Sequence, residues 1–360
     1  MKAIIPTGGR GTRMQPLTFS SNKHFIPIAN KPLIFFPIET VSAAGIKEVA
    51  ITFDNAYLDQ AKSVLGDGSR WGLKFTYILQ DKPLGLANIF QVCEEYLNGE
   101  SFFLHLGDNI FVDGINKFVE YFEKNKPNAL VPMVHHKENR RMGVPFFDKA
   151  GRLIKYVEKP ENPPHDFAIP GLYFFDQNVF KCFSGKDQIQ PSSRGELEIS
   201  APFQWLIDHG FKVDVLEYEG KWLDPGKFND WMETNQFIVD YLVKDNQINS
   251  TFGDDVSLES RVHIGMGCTI ERSHIRGPII IGDNVTIRDS FIGPFSVISD
   301  GCQIDGSHIE NSEIMDNVII QKFPEHIDSS LIGPESELIN QEKQTKSTCF
   351  FLGAKSKIII

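Results

Sequence analysis

The first two thirds of the chain alternate short apolar runs with stretches whose apolar residues recur at helical spacing. The runs that we predict as strands are residues 2–5, 48–53, 73–79, 101–106, 129–134, 153–157 and 169–175. The stretches that we predict as helices are residues 32–44, 85–96, 198–209 and 228–243. This alternation is typical of an α/β fold with a doubly wound, mostly parallel, Rossmann-like sheet, which binds ligands where strands end. We therefore predict an α/β domain over residues 1–243.

After about residue 249 the spacing of apolar residues changes. Isoleucine recurs every five or six residues, at positions 264, 270, 275, 281, 287, 292, 298, 304, 309, 314 and 320. Segments that begin at Ile264, Ile281 and Ile298 align with one another at a 17-residue offset. This hexapeptide pattern indicates a left-handed parallel β-helix, in which each coil has three short faces with one inward aliphatic side chain each. We predict the β-helix over residues 250–345, followed by an apolar tail over 346–360 that caps it or contacts another subunit.

Composition excludes several classes of function. Of the 360 residues 41% are hydrophobic and 23% are charged, which is typical of a globular protein. The net charge of −11 disfavours nucleic acid as a partner. The chain has no apolar run of membrane-spanning length and no signal-peptide pattern at its start. Its five scattered cysteines show no metal-binding or disulfide spacing, so we expect a cytoplasmic protein without a membrane partner.

A glycine-rich loop over residues 8–13 directly follows the first predicted strand. Glycines allow backbone N–H groups to approach phosphate oxygens, and Arg13 could add charge-assisted hydrogen bonds. The loop matches neither the dinucleotide-binding fingerprint nor the P-loop, and taken alone it equally fits an ordinary turn between strand and helix.

Two aspartates stand at predicted strand ends that carry no other acid. Asp108 follows one strand and Asp224 follows another. Two carboxylates from separate strands could share one Mg²⁺, which prefers a few protein oxygens together with substrate phosphates. Each aspartate taken singly also fits a residue that shapes a turn.

Other polar residues are weak candidates when each is taken singly. The amide of Gln80 could pair with a pyrimidine edge, and Gly85 would let the base lie against backbone. Glu158 could accept from sugar hydroxyls, while Lys159 offers a point charge for a phosphate. Arg194 lies in a loop that equally fits a helix cap.

Taken in order, these segments resemble the sugar-1-phosphate nucleotidylyltransferases. Within that family the resemblance is to the long glucose-1-phosphate thymidylyltransferases, which carry a C-terminal left-handed β-helix. The motifs that carry it are Gly8-Gly9-x-Gly11-Thr12-Arg13, Lys23-x-x-x-Pro27, Pro83-x-Gly85-Leu86-Ala87, Gly107-Asp108-Asn109, Glu158-Lys159-Pro160, Gly171-Leu172-Tyr173, Arg194-Gly195-Glu196-Leu197-Glu198 and Trp222-Leu223-Asp224. The resemblance covers nearly the whole chain and implies a nucleotidyltransferase domain over residues 1–243.

The resemblance also implies the reaction and the residues that serve it. A nucleoside triphosphate, most simply dTTP, and a hexose-1-phosphate would give a nucleotide sugar, such as dTDP-glucose, and pyrophosphate. The implied nucleotide contacts are Gly8, Gly9, Gly11, Thr12, Arg13, Gln80 and Gly85. The implied sugar-phosphate contacts are Asn109, Gly143, Glu158, Lys159, Gly171 and Arg194. The implied catalytic residues are Arg13, Lys23, Asp108 and Lys159, and the implied Mg²⁺ ligands are Asp108 and Asp224.

Several alternatives remain open from the sequence. Four departures from the family pattern leave the identity of the sugar, and to a lesser degree that of the base, open. They are Pro6-Thr7, His24, Pro170 and Pro145, the last of which is expected to interrupt a strand. The enzyme could use UTP or another hexose phosphate. The β-helix could add an acetyltransferase that uses a basic histidine, with His263, His274 and His308 as candidates. A regulatory protein that binds nucleotide sugars is disfavoured, because the charged motif residues are all present. We expect a homo-oligomer assembled through the β-helix.

Overall fold

The computed structural model describes residues 1–9, 11–81 and 84–340. They form two compact units, which we call the α/β unit (within Met1–Arg10 and Ile34–Leu223) and the solenoid unit (within Gly11–Leu33 and Asp224–Ile360). The solenoid unit thus takes in an early segment of the chain. The predicted domain boundaries at residues 243 and 250 stay predictions, and the predicted tail over 346–360 lies outside the described residues.

Each strand and helix predicted for the first two thirds of the chain overlaps an observed element, and further elements are present. The helices are α1 Phe35–Ala43, α2 Leu58–Leu65, α3 Asn88–Leu97, α4 Asn116–Asn125, α5 Ser200–Asp208 and α6 Phe228–Leu242. Up to residue 223 the strands are β1 Lys2–Pro6, β2 Pro27–Ile28, β3 Lys31–Pro32, β4 Glu48–Phe53, β5 Lys74–Leu79, β6 Phe102–His105, β7 Ile110–Phe111, β8 Ala129–His135, β9 Gly143–Phe147, β10 Leu153–Glu158, β11 Phe167–Ala168, β12 Leu172–Phe175, β13 Val213–Glu217 and β14 Trp222–Leu223. No helix among the described residues has the length and apolar character needed to cross a bilayer.

The main sheet of the α/β unit is mixed and mostly parallel, as predicted. Its strand order is β11-β8-β12-β6-β1-β4-β5, with β13 paired to β8. The neighbours β6, β1, β4 and β5 all run parallel, whereas β12 pairs antiparallel with both β6 and β8. Because parallel strands end at one edge of a sheet, the loops after β1, β5 and β6 start from the same edge.

A cluster of phenylalanines fills the core of the α/β unit. The ring of Phe175 lies 4.4 Å from that of Phe203 and 5.0 Å from that of Phe90, measured between centroids. Phe90 in turn packs edge-on against Phe102 at 5.2 Å. These rings are fully buried, so each removes a large apolar area from water in addition to its aromatic contacts.

The solenoid unit stacks short parallel strands in three sheets, an arrangement typical of a left-handed β-helix. Its strands are β15 Gln247–Ile248, β16 Ser257–Leu258, β17 Val262–Ile264, β18 Thr269–Glu271, β19 His274–Ile275, β20 Ile279–Ile281, β21 Thr286–Arg288, β22 Phe291–Ile292, β23 Val297–Ile298, β24 Gln303–Asp305, β25 His308–Ile309, β26 Glu313–Ile314, β27 Ile319–Gln321, β28 His326–Ile327, β29 Leu331–Ile332 and β30 Glu337–Ile339. Two of the sheets join every third strand, beginning at β16 and at β18, and the remaining sheet joins β15 to β17 and then every third strand from β17.

The predicted isoleucine ladder is confirmed as the core of the solenoid. Ile264 pairs with Ile281, and Ile281 pairs with Ile298, at the offset that the sequence repeat predicts. The ladder then continues to Ile314 by a slightly shorter step and to Ile332 by a slightly longer one. The predicted isoleucines from 264 to 320 are all buried. One inward aliphatic side chain per face therefore fills the interior.

A hairpin near the start of the chain belongs to the solenoid unit. Strands β2 and β3 are joined by Ala29 and Asn30, whose φ angles of 52° and 60° are both left-handed. The Ala29 N–H donates to Oδ1 of Asn235 in α6 at 2.8 Å, and the Asn30 N–H donates to Oε1 of Glu313 in β26 at 3.3 Å. The tip of the hairpin is therefore fastened to both α6 and the β-helix.

Some sequence predictions differ from the structure in their detail. Helix α1 begins at Phe35 rather than at residue 32, because residues 31 and 32 form β3. Helices α2 and α4 were not predicted. Pro145 does not interrupt a strand: it lies within β9 and pairs with Tyr156 of β10. This two-stranded sheet leaves β9 with an edge, where a residue without an N–H can be accommodated.

Candidate active site

Loops at the carboxyl edge of the parallel strands bring several predicted residues together. Gly8 follows β1 and Gln80 follows β5, and a Cβ placed on Gly8 would lie 3.3 Å from Oε1 of Gln80. The Gly107 N–H, which follows β6, donates to the Pro6 carbonyl at the end of β1 at 3.2 Å. Gly8 and Gly9 are exposed at this edge. Gly8 of the predicted phosphate loop and the predicted base-contacting amide of Gln80 are therefore neighbours.

The buried side chain of Asn109 organises the loop that carries Asp108. Its Oδ1 accepts from the Gly171 N–H at 3.0 Å and from Nε1 of Trp222 at 2.9 Å. Its Nδ2 donates to Oδ1 of Asp108 at 3.0 Å. Asn109 thus fixes one oxygen of Asp108 and ties three chain segments together. Its predicted contact with the sugar stays a prediction.

Two glycines of the predicted sugar site are required by packing. A Cβ on Gly171 would lie 2.5 Å from Oδ1 of Asn109, which is closer than real contacts allow. A Cβ on Gly143 would lie 2.3 Å from the ring of Tyr156 in β10. Sequence reasoning missed Tyr156, a buried side chain whose pKa burial raises well above its ordinary value, with the nearby Tyr173 adding to the effect. Such burial is visible only in the fold.

The predicted sugar-phosphate cations lie beside carboxylates. Nζ of Lys159, whose side chain is 48% exposed, is 3.7 Å from Oε1 of Glu158. Nη2 of Arg194 is 2.7 Å from Oε1 of Glu198, which also accepts from Oγ of Ser192 at 2.8 Å. Burial raises the pKa of the Glu158 carboxyl, and Lys159 and Arg194 oppose that effect. This cluster of opposite charges was not predicted as a unit, because Glu198 was named only within a motif.

The backbone conformation and packing at position 85 require a glycine, whether or not a base lies against it. Its φ is +104°, which is in the region that favours glycine, and a Cβ would lie 2.4 Å from the carbonyl oxygen of Leu197. The Leu197 N–H donates to the Leu84 carbonyl at 2.7 Å. The loop around Gly85 is thereby joined to the segment that carries Arg194.

The remaining predicted residues belong to the solenoid unit. Gly11 has a φ of 54°, and a Cβ there would lie 2.8 Å from Cγ2 of Thr18 and 3.2 Å from Cβ of Lys23. Lys23 is only 7% exposed, so it is not an ordinary surface lysine. The guanidinium of Arg13 lies against Gly226, with 3.6 Å between its nearest nitrogen and a Cβ built there. Lys23 is thus beside the glycine loop.

Arg13 also lies beside the turn that carries Asp224. The Gly226 N–H donates to the Asp224 carbonyl at 2.7 Å, which shapes this turn. Thr12, Arg13 and Asp224 are all exposed. The predicted set is therefore divided: the predicted triphosphate cations Arg13 and Lys23 belong to the solenoid unit, and the predicted sugar-phosphate cations Lys159 and Arg194 belong to the α/β unit.

Comparison with known proteins identifies the family. A family model described as "Nucleotidyl transferase" matches residues 2–241. The chain belongs to this family.

Full-length relatives of this nucleotidyltransferase include two enzymes named glucose-1-phosphate thymidylyltransferase. That of Streptomyces antibioticus is 36% identical over 361 residues, which cover 100% of this chain and 99% of the relative. That of Streptomyces griseus is 33% identical, with 99% of both chains covered. The low-salt glycan biosynthesis nucleotidyltransferase Agl11 of Haloferax volcanii is 33% identical, with 92% of each covered. The resemblance drawn from the motifs is confirmed: the chain is a sugar-1-phosphate nucleotidyltransferase similar to the glucose-1-phosphate thymidylyltransferases.

Solved structures match the nucleotidyltransferase over two thirds of its length. A putative glucose-1-phosphate thymidylyltransferase from Bacillus anthracis, in complex with a sucrose, has a TM-score of 0.61 and 32% identity, covering 66% of this chain and 94% of that one. A UDP-glucose pyrophosphorylase complexed with UDP-glucose has a TM-score of 0.58 and 22% identity, covering 67% and 98%. The second likeness concerns the fold alone.

Proposed function

We propose that this nucleotidyltransferase makes dTDP-glucose and pyrophosphate from dTTP and glucose-1-phosphate. The observation that carries the choice of base is the amide of Gln80 beside Gly8, at the edge where β1 and β5 end. An amide donates and accepts in one plane, which matches the N3–H and O4 edge of thymine or uracil. The names of the two full-length Streptomyces relatives support the thymine nucleotide.

The proposed chemistry is an in-line displacement at the α-phosphorus of the nucleotide. A phosphate oxygen of the sugar-1-phosphate forms the new bond to this phosphorus, and the bond to the bridging oxygen of the β-phosphate breaks. Pyrophosphate leaves with that electron pair. Since the nucleophile is already an anion, the protein must position two polyanions and neutralise their repulsion rather than remove a proton.

We assign four cationic side chains of the predicted site to the two anionic substrates. Arg13 and Lys23, together with the backbone of Gly8, Gly9, Gly11 and Thr12, would bind the triphosphate. Lys159 and Arg194 would bind the sugar phosphate, because both lie in the α/β unit next to carboxylates that can accept from sugar hydroxyls. A charged nitrogen in such a place can exchange a carboxylate partner for a phosphate oxygen.

The carboxylates Asp108 and Asp224 are proposed to hold Mg²⁺. Hard carboxylate oxygens fit this ion, and Asn109 orients the Asp108 carboxylate through a 3.0 Å hydrogen bond. When bound, the ion would supply positive charge to the phosphates.

The proposed sugar site is formed by Glu158 with Asn109, Gly143 and Gly171. Glu158 is partly buried, and its raised pKa reflects the cost of removing a carboxylate from water. Hydrogen bonds from sugar hydroxyls would offset part of that cost, because they favour the charged carboxylate. The two glycines keep side chains out of this region.

We further propose that residues 1–243 carry the catalysis and that the β-helix, residues 250–345, assembles subunits. Its interior is filled mainly by isoleucines, together with valines and two cysteines, which leaves no internal space for a substrate. A cytoplasmic location follows from the proposed use of a nucleoside triphosphate.

Pyrophosphate release tests the proposal with dTTP, UTP, CTP, ATP and GTP, each paired with several hexose-1-phosphates. We expect dTTP and glucose-1-phosphate to be the best pair, and the reaction to stop when Mg²⁺ is chelated. Gln80→Ala should weaken the pyrimidine preference, whereas the exposed control Gln91→Ala should not. A best rate with UTP would move the enzyme to the uridylyl alternative, and a best rate with GTP would overturn the pyrimidine assignment. Acetyl-CoA turnover would overturn the non-catalytic role of the β-helix.

A further inference from the structure

One face of the β-helix carries a column of aromatic side chains outside the machinery proposed above. Equivalent positions in successive coils are His274, Phe291, His308 and His326. The rings of His308 and His326 are stacked, with centroids 3.9 Å apart and planes 20° apart. Phe291 packs edge-on against His308 from the preceding coil at 4.6 Å. The two imidazoles are thereby held next to each other.

A glutamate completes this arrangement. Oε2 of Glu310 lies 3.5 Å from Nε2 of His308 and 3.0 Å from Nε2 of His326. One ligand atom from each of these side chains can be chosen so that all three lie within 4.8 Å of one another. Gly293 in the preceding coil makes the geometry possible, since a Cβ there would lie 2.3 Å from Cγ of Glu310. The carboxylate therefore occupies space that any other residue at position 293 would fill.

We propose that His308, Glu310 and His326 bind a divalent first-row transition metal such as Zn²⁺. Two imidazole nitrogens and a carboxylate oxygen suit such a metal, whose bonds to these atoms are about 2.0–2.2 Å long. The same set suits Mg²⁺ poorly, because that ion prefers oxygen ligands. The side chains are partly exposed, at 47%, 28% and 41%, so water can reach the metal and fill its remaining positions.

The metal would cross-link two coils of the solenoid. His308 and Glu310 belong to the coil that contains β25, and His326 belongs to the next coil, which contains β28. Binding to the folded state alone stabilises that state by mass action. The site would thus fasten the later coils of the β-helix, and it uses no residue of the proposed nucleotidyl transfer.

Titration of the full-length, chelator-treated protein with Zn²⁺ and with Co²⁺ tests the site. An excess of Mg²⁺ is kept present so that oxygen-rich sites are occupied. We expect about one equivalent of Zn²⁺ bound per chain, a rise in the melting temperature, and a Co²⁺ absorption spectrum of low coordination number.

Substitutions then assign the ligands. His308→Ala, His326→Ala and Glu310→Gln should each weaken binding about tenfold or more and abolish the rise in melting temperature. The matched control is His274→Ala, which removes a histidine of the same column. Nε2 of His274 lies 2.8 Å from Oε1 of Glu259, and His274 is not part of the proposed metal site. This control should bind Zn²⁺ normally.

Two outcomes of these binding experiments would contradict the proposed metal site. Absence of Zn²⁺ binding would mean that Glu310 only forms hydrogen bonds with two histidines. Binding that survives in His308→Ala and His326→Ala, or that is lost in Asp108→Asn, would place the metal elsewhere. Melting temperatures in chelator separate loss of the metal from loss of folding, and His326→Gln supplies a milder variant if His326→Ala fails to fold.

Discussion

Glu158 of the α/β unit is partly buried, Glu313 of the solenoid unit is fully buried, and the two carboxyls have different partners. Glu158 lies beside Lys159, and the charges of Lys159 and Arg194 offset part of the rise in its pKa that burial causes. Glu313 of the solenoid unit is fully buried; its Oε1 accepts from the Asn30 N–H, and its Oε2 has no hydrogen-bond partner among the described residues. Burial raises the pKa of both carboxyls, and raises that of Glu313 to about 8.

The two glutamates differ in the groups that neutralise or bind the carboxylate, which are side chains at Glu158 and backbone at Glu313. Near Glu158 the opposing charges are those of Lys159 and Arg194, whose side chains are 48% and 45% exposed and so can reach an anionic ligand. At Glu313 the partner is backbone, which cannot leave without moving the hairpin. The role proposed for Glu158 is substrate binding, whereas we expect charge at Glu313 to affect the stability of the solenoid unit.

The largest expected effect concerns Glu313. A carboxyl whose pKa is raised by folding, here from 4.5 to about 8, holds its proton more tightly in the folded state. Its contribution to stability is therefore complete below about pH 4.5 and is lost as the pH rises through about 8. Glu313→Gln should flatten the pH dependence of the free energy of unfolding by up to about 4 kcal/mol between pH 5 and pH 8.

Denaturant titrations at several pH values measure this change. The exposed Glu337→Gln is the matched control and should leave the pH profile as it is. If the Glu313→Gln profile equals that of the unmodified protein, the carboxyl does not titrate with folding, and the contrast with Glu158 fails.

The proposed metal ligands test the catalytic side of the comparison. Asp108→Asn and Asp224→Asn should each lower turnover by about a hundredfold or more, because each removes a charged ligand from the proposed Mg²⁺. Neither change removes a buried apolar contact, so the melting temperature should change little. Asp59→Asn in α2, where the side chain is exposed, is the control. Nearly normal turnover in either variant would remove the metal role from that residue.

Lys159 tests whether the cation beside Glu158 serves the sugar phosphate. Lys159→Ala should raise the KM for the sugar phosphate by about tenfold or more and leave the nucleotide KM nearly unchanged. Steady-state kinetics with each substrate varied in turn make the distinction, with the exposed Lys155→Ala of β10 as the control. A change confined to the nucleotide KM would contradict the assignment.

The smallest expected effect concerns whether two core substitutions change the free energy of unfolding additively, within the solenoid core or between the two cores. Ile298→Val should lower the free energy of unfolding by about 0.5–1.5 kcal/mol. Combined with Ile314→Val in the next coil it should be non-additive, because the two residues pair directly. Combined with Ile51→Val in the α/β core it should be additive within about 0.5 kcal/mol, if both units unfold in one transition. Additivity in both pairs would show that the coils are independent.

Periodic features of the fold were the ones that could be predicted from the sequence. The spacing of Ile264, Ile281 and Ile298 predicted both the β-helix and its interior, because translation along a solenoid repeats one environment. Helix α4 was missed although Phe118, Val119 and Phe122 form its buried face. These positions recur at helical spacing, so the pattern that indicates α4 is present in the sequence although the helix was not predicted.

The candidate site was predictable only as a set of loop positions. The family resemblance implied Gly85 and Gly143 as contact residues, but their close approaches to Leu197 and Tyr156 join segments that are separate in the chain, which no local pattern encodes. The pairing of His308 with His326 escaped for a related reason. The step between these two histidines is longer than the offset at which the earlier coils align.

The unequal coil lengths have an evolutionary consequence. The step from Ile298 to Ile314 is shorter than the step from Ile281 to Ile298, and the step from Ile314 to Ile332 is longer, yet the strands remain in register. A single inserted or deleted residue can thus be absorbed at a corner between faces, whereas the same change inside a strand would turn its side chains inside out. A gene for such a domain can gain or lose codons at many points without losing the fold, so homologous chains are free to diverge in length while their cross-section stays constant.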